Sequence, residues 1–467
     1  MTLPPLSLPP ATLDLLRELH DALRPVWAAL PAEQTSPTLT PDYRAAPVPE
    51  NLRGRRAELI VEASDVTALE QALRGDADAV VIDFDDTFTP TRRNVQAAYD
   101  ALLGIGESGT QKPLLVRPRA LYAVEPHLDF GGPGMAALCD LGVSLAALRN
   151  TPPHIYIPKL ETVPEAQFWH RALTLAERHL GLAENSLRVC LQIETFSGLR
   201  HADALLHALH GRAYGLNAGR WDYVFSLIKH LGGQREQPVP PRRDLTMDVD
   251  AMRAYAEELV RVCRLRGAEA IGGTASFAPD PASPQPALDA VLTDKQREAA
   301  QGFTAAWAGL PVLLDAVRRG FDSDVQVEVA AKNPDLYARL TDLPAPAQIA
   351  LDDVQDAISL ALGVFGAWYD GRGVLERLGR IEDTATAELA RAQVWQWVHV
   401  QAVLDDGTRL TPERYLQERS TLKAQSDPAA TLLDALVLSA ECPDYFPRVA
   451  QQLATRQTGV VQTGVST

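Results

Sequence analysis

Ionisable side chains recur at the C-terminal ends of short apolar runs in this chain. Asp83, Asp85 and Asp86 close "VVIDFDD", Arg117 and Arg119 close "LLVRPR", Lys159 and Glu161 close "IYIPKLE", Glu194 closes "VCLQIE", and Arg220 and Asp222 follow "GLNAG". Two acids brought from neighbouring strands into one cavity repel unless a cation lies between them. Hard oxygen donors without histidine or thiolate suit magnesium, which takes one or two carboxylates and keeps places for water and substrate. Glu194 and Asp222 fit that count. Each position also has an ordinary alternative, because Asp and Asn commonly cap the helix that follows a strand. Glu194 is the freest of them, since Thr195 or Ser197 can do the capping. For Arg117 the alternative is a salt bridge across the strand ends, and for Lys159 pairing with the acids stands level with substrate contact.

The elements that must position these groups follow from the hydrophobic pattern. Eight apolar runs, "AELIVEA", "AVVIDF", "PLLVRP", "HIYIPKL", "LRVCLQIE", "AYGLNA", "AEAIGG" and "FTAAWAGLP", alternate with longer helical patterns. Near-continuous apolar strands alternating with helices imply a covered parallel sheet, and eight imply closure into a (β/α)8 TIM barrel. An open nucleotide-binding sheet is disfavoured, because no G-x-G-x-x-G follows the first strand and no Walker lysine motif occurs. The barrel is assigned to residues 56–325. Residues 1–55 read as one N-terminal helix and a Pro-, Ser- and Thr-rich tether. Residues 326–467 read as a purely helical C-terminal domain whose last stretch, "TRQTGVVQTGVST", is expected to fray. The charged groups fall on the rim where barrel enzymes build active sites.

Composition narrows the function classes. The 467-residue chain is 46% apolar and 22% charged, which is globular, and its formal net charge of −16 argues against nucleic-acid partners and a basic membrane-binding face. The four scattered cysteines form no metal or disulfide pattern. No apolar run reaches membrane-spanning length, and the start lacks a signal-peptide pattern, so a cytoplasmic protein is expected.

The motifs "VIDFDDTFTPTRRN", "LLVRPRAL", "YIPKLET", "LQIET", "GLNAGRWDYVFSLIKH", "DKQREAAQGFTAAW" and "IEDTATAELARAQVWQW" occur in this order. They closely resemble the A-type malate synthase family, from about residue 56 to about residue 400. The resemblance implies a glyoxylate-cycle enzyme that condenses acetyl-CoA with glyoxylate and hydrolyses the thioester to malate and CoA, using Mg2+, with Mn2+ as the alternative ion. It implies Glu194 and Asp222 as metal ligands, Arg117 as the catalytic arginine and Asp383 as the general base. Asp85 and Asp86 match an acidic pair beside the metal's waters, and Lys159 joins them as a partner of the acids. The segment Gly219, Arg220, Trp221 and Asp222 is expected to bind substrate, its helix N-terminus taking the glyoxylate carboxylate. Read without the resemblance, Asp383 is the N-cap of the helix "TATAELARAQVWQW".

This sequence departs from the family pattern at several places. Asp85 stands for a glutamate, Thr274 for a methionine, and Leu310 for a histidine, and "GVLERLGRIED" lacks the usual proline-tyrosine pattern before Asp383. A related acyl-CoA lyase or condensing enzyme using another 2-oxo acid is the alternative, and a non-catalytic acyl-CoA-binding protein is a third reading. The long helical domain carrying "EDTATAE" favours the synthase over the lyase. Arg242, Arg243 and Arg372 are candidates to meet CoA phosphates or to be solvated surface charges.

Overall fold

The computed structural model describes residues 5–33, 40–322, 333–422 and 427–458. Its strands are β1 (Ala57–Glu62), β2 (Ala79–Asp83), β3 (Leu114–Arg117), β4 (Val124–Asp129), β5 (Pro133–Met135), β6 (His154–Ile157), β7 (Val189–Ile193), β8 (Ala213–Ala218), β9 (Glu269–Ala275), β10 (Ala305–Ala308), β11 (Leu375–Arg377) and β12 (Arg380–Glu382). Eight of these close into a parallel barrel in the order β1-β10-β9-β8-β7-β6-β3-β2. Seven of the barrel strands lie within one of the eight apolar runs each, and β9 starts in its run and continues two residues past it, to Ala275. The runs lack polar alternation because helices cover the outside while side chains fill the inside; every residue of β7 and β8 is buried.

Register aligns the strand ends into one rim. Asp83 lies opposite Arg117 in the β2–β3 pairing, and Ile193 opposite Ala218 in the β7–β8 pairing, so Glu194 and Gly219 emerge side by side. The helix Pro10–Ala28 buries Leu15, Leu16, Leu19 and Leu23 and packs on the barrel helices Ala136–Ala147 and Val163–Leu180. Residues 40–52 also lie against the barrel: Tyr43 donates to Asp203, Ala46 N donates to Ala213 O, and Leu52 joins the barrel's interior cluster. The expected boundary at 325/326 lies outside the described residues; of the stretch expected to fray, residues 455–458 instead continue the helix Phe446–Thr458, and the rest, from 459, lies outside the described residues.

The part after residue 333 is not purely helical. Between the helices Leu351–Tyr369 and Thr384–His399 sits the hairpin β11–β12. Its strands are too short to show periodicity, and its turn is made by Leu378 and Gly379, both left-handed with φ of 50° and 71°. Ala278 N donates to Gly379 O, and Ile381 N to Ser276 O, fastening the hairpin to the loop after β9. The helix Thr384–His399 is moored to the barrel as well: Gln393 donates to Pro240 O and Trp397 Nε1 donates to Val239 O. Among the described residues, no helix is long and apolar enough to cross a membrane.

Candidate active site

Arg117, the last residue of β3, is held edge-on by acids of the neighbouring strand end. Its Nε and Nη2 donate to the two oxygens of Asp83 at 2.5 and 2.6 Å, and its Nη1 donates to Asp86 at 2.7 Å and Gln192 at 3.2 Å. Asp83 is itself fixed by donors from Asp85 N, Thr87 N and the Thr87 hydroxyl. The salt bridge read as the ordinary alternative is therefore present, and it aims the guanidinium at the barrel mouth.

Asp86, Glu194 and Asp222 each present an oxygen within 4.8 Å of the others. All three are buried. Lys159, at a left-handed φ of 52°, reaches into this group and donates to Asp85 at 2.6 Å and Asp86 at 2.7 Å, while lying 3.8 Å from Glu194 and 3.6 Å from Asp222. Glu194 Oε2 and Asp222 Oδ1 are buried without a hydrogen-bond partner. A buried carboxylate oxygen left unpaired is expensive, and two such oxygens on facing acids fit the donor set of a hard divalent cation. Thr195 caps the helix Phe196–Arg200 through Gly198 N, which leaves Glu194 free, as the sequence suggested.

Electrostatics within the group diverge. Burial pushes Glu194 up to about 8 and Asp85 to about 6, and burial followed by the charge of Asp86 raises Asp222 well above the carboxylate range. Burial opposes charge on Asp86 too, but Lys159 and Arg117 together hold it below the usual range. Close packing is enforced at Gly219, where a Cβ would sit 2.5 Å from Glu194 Oε2. The helix Arg220–Leu231 begins there with no side-chain cap, so its first N–H groups are available to an anion. Arg220 and Trp221 are half-buried beside it, the guanidinium carbon 4.2 Å from the indole centroid.

Asp383 arrives from the other domain. It caps Thr384–His399, accepting from Thr386 N at 3.1 Å, and Thr384 N in turn donates to Asp86 O. The cap and the site are thus one place. Burial, then the charge of Asp86, push its carboxyl up to about 7. The preceding Glu382 is gripped by Arg242, whose Nη1 lies 2.9 Å from both carboxylate oxygens. A cavity of about 390 Å³ joins Arg117, Glu194, Asp222, Gly219, Arg220, Trp221 and Asp383, and Thr274 and Leu310 line it.

All the expected site residues thus converge on one mouth. Asp85 stands behind Lys159, taking Ala120 N on its other oxygen, and Asp86 is closer to the centre than its expected place beside the ligands' waters. Arg119 is a structural group, locked to Asp140 and Glu125. Arg243 and Arg372 are exposed and pair with Asp353 and Asp370. Sequence reasoning missed Gln192, Trp307 and Tyr445. Lys159 Nζ lies 5.4 Å from the ring of Tyr445, which comes from a segment beyond any recognised motif. Gln192 was within reach as the inward neighbour of Glu194 on β7.

This architecture, strand-end acids and an arginine on a (β/α)8 barrel with a carboxylate supplied by an appended helical domain, defines a class of barrel enzymes equipped for acid–base chemistry. A malate synthase TIM-barrel domain is matched across residues 113–341 and a malate synthase C-terminal domain across 348–432. The chain belongs to the malate synthase family and is an enzyme of its acyltransferase type. A malate synthase of Streptomyces clavuligerus is 34% identical over 410 residues, covering 79% of this chain and 75% of that protein. Malate synthase A of Escherichia coli is 29% identical over 452 residues, covering 87% and 84%. A solved Haloferax volcanii malate synthase, in a pyruvate and acetyl-CoA ternary complex, shares the fold at a TM-score of 0.53 with 16% identity, over 73% of this chain and 90% of that one.

Proposed function

We propose that this enzyme condenses acetyl-CoA with glyoxylate and hydrolyses the thioester to release malate and CoA, with magnesium held by Glu194 and Asp222. The observation that carries the reading is the meeting, in one cavity, of Asp383 with the acid group and Arg117. The unpaired oxygens of Glu194 and Asp222 support a hard cation there, and manganese suits the same donors. When bound, the ion supplies Lewis-acid polarisation of the oxo acid's carbonyl. Asp85, Asp86 and Lys159 set the charge around it.

The chain's own groups do the rest. Asp383, one oxygen tied to Thr386 N, takes a proton from the thioester methyl carbon with the other. Arg117 stabilises the enolate oxygen as negative charge develops on it. The uncapped N–H groups from Arg220 onward receive the glyoxylate carboxylate, and Gly219 lets the backbone come close. The enolate carbon then attacks the aldehyde carbon, and water cleaves the thioester. A cytoplasmic setting belongs to the same proposal; the four free thiols fit a reducing compartment.

The test is thiol release from acetyl-CoA, with malate measured as product. Release that requires both glyoxylate and a divalent cation supports the reading. No release with glyoxylate, from folded protein that binds magnesium, refutes it.

A further inference from the structure

Beneath the rim, the barrel interior carries a charged layer that the proposed chemistry does not use. Glu58, on β1, is fully buried. Its Oε2 accepts from the Tyr156 hydroxyl at 2.7 Å, from β6, and from Trp307 Nε1 at 3.0 Å, from β10. Its other oxygen takes the Arg55 guanidinium, which also pairs with Glu269 at 2.6 Å. Interior layers of these barrels are dominated by branched apolar side chains. A buried ion pair stabilises no better than well-packed apolar residues of the same volume, because desolvation cancels much of the attraction. The charge in this layer therefore calls for another account.

Trp307 supplies one. Its indole stands edge-on to the Tyr156 ring at 4.7 Å and 87°, so its plane is set by two contacts within the layer. Above it, the Arg117 guanidinium carbon lies 5.1 Å from the ring centroid. Asp83, Asp86 and Gln192 all hold Arg117 through its N–H groups, which lie in the guanidinium plane. Those bonds resist sliding within the plane far better than tilting out of it. The face is supported by Trp307.

We propose that Trp307 is a positioning residue that holds the plane of Arg117 toward the reacting thioester, and that Glu58 is retained in the barrel to fix the indole. The proposal rests on the role given to Arg117 in the condensation. It predicts a loss in kcat rather than in substrate binding, because a misplaced cation loses interactions made as charge develops.

The experiment is steady-state kinetics of thiol release for Trp307→Leu, Trp307→Phe and Glu58→Gln, alone and with Arg117→Lys, beside thermal unfolding of each variant. Trp307→Leu is expected to lower kcat by about tenfold to a hundredfold, the scale of a small misplacement in an active site, with KM for acetyl-CoA within about twofold. Trp307→Phe keeps a ring but loses the bond to Glu58, so a smaller fall is expected. Adding Glu58→Gln to Trp307→Phe should cost nothing further in kcat, and Trp307→Leu should cost under about threefold in the Arg117→Lys background. An undiminished effect of Trp307→Leu in that background, or a kcat unchanged while the unfolding midpoint falls, overturns the proposal. If Trp307→Leu does not fold, the Trp307→Phe and Glu58→Gln pair decides by the same rule. A parent protein that releases no thiol with glyoxylate overturns the reaction itself; a parent that turns over while the cycle fails overturns only the positioning role.

Discussion

Asp383→Asn separates the two jobs that one side chain holds. Asparagine caps helices about as well as aspartate, and its side-chain oxygen can keep the bond from Thr386 N. The helix Thr384–His399 is further moored by Gln393 and Trp397, so the unfolding midpoint should hardly move. Asparagine cannot accept the methyl proton. General-base catalysis contributes about 10² to 10⁴ in rate, which at about 1.36 kcal/mol per decade is roughly 3 to 5 kcal/mol of barrel-mouth transition-state stabilisation lost. Asp383→Ala should show the same rate loss and, in addition, about 1 kcal/mol of lost stability from the missing cap. Thiol release and thermal unfolding measured on both variants give the contrast. An Asn variant retaining more than about a tenth of parental kcat would remove Asp383 as the base, since even the low end of the range demands a hundredfold loss. A rate loss that merely tracks the unfolding midpoint through both variants would reduce Asp383 to a cap.

Because burial and Asp86 raise Asp383 to about 7, and the base must be ionised to act, kcat/KM should be lost as pH falls through about 7 and level off above it; a flat profile from pH 5.5 to 8 contradicts this. Glu194, pushed up to about 8, is protonated at pH 7 before a cation binds. Calorimetric titration with magnesium in buffers of different ionisation enthalpy should therefore register net proton release at pH 7, from Glu194 and from Asp222, which is raised as well, and Glu194→Gln should reduce that release and weaken binding at least about tenfold. Gly219→Ala places a methyl against Glu194 Oε2, so magnesium affinity and turnover should fall together in a folded protein; unchanged affinity would mean that the rim is looser than the structure shows.

How much was legible varies with the physics of each element. The barrel strands could be read because burial on both sides leaves uninterrupted apolar runs, and "VCLQIE" or "AYGLNA" admits no other economical reading. The hairpin β11–β12 could not, since three-residue strands carry no period and a left-handed leucine at 378 is not an expected turn residue. Within the site, the charged rim was visible because each group ends its strand. Asp383 was visible only through family resemblance, as its local signal is that of a cap, and the structure shows that it is one. Glu58, Trp307 and Tyr445 act through contacts across 98 to 249 residues of chain, or from a loop with no periodic signal, and no local pattern announces them.

The division of the site between two bodies has a consequence for how such an enzyme can change. On the proposed reading, the oxo-acid side is written on the barrel rim, by Glu194, Gly219 and Asp222, with Thr274 and Leu310 in the cavity wall. On the same reading, the proton-accepting side is written on one helix of the appended domain, which begins at Asp383 with Thr384 N bonded to Asp86 O and is moored further along by Gln393 and Trp397. The residues that would receive the electrophile and the residue that would take the proton therefore occupy separate stretches of the chain, while Arg117, which serves the enolate, stays on the barrel. Substitutions accumulating in the cavity wall can retune which acid is accepted while the deprotonating machinery is inherited intact.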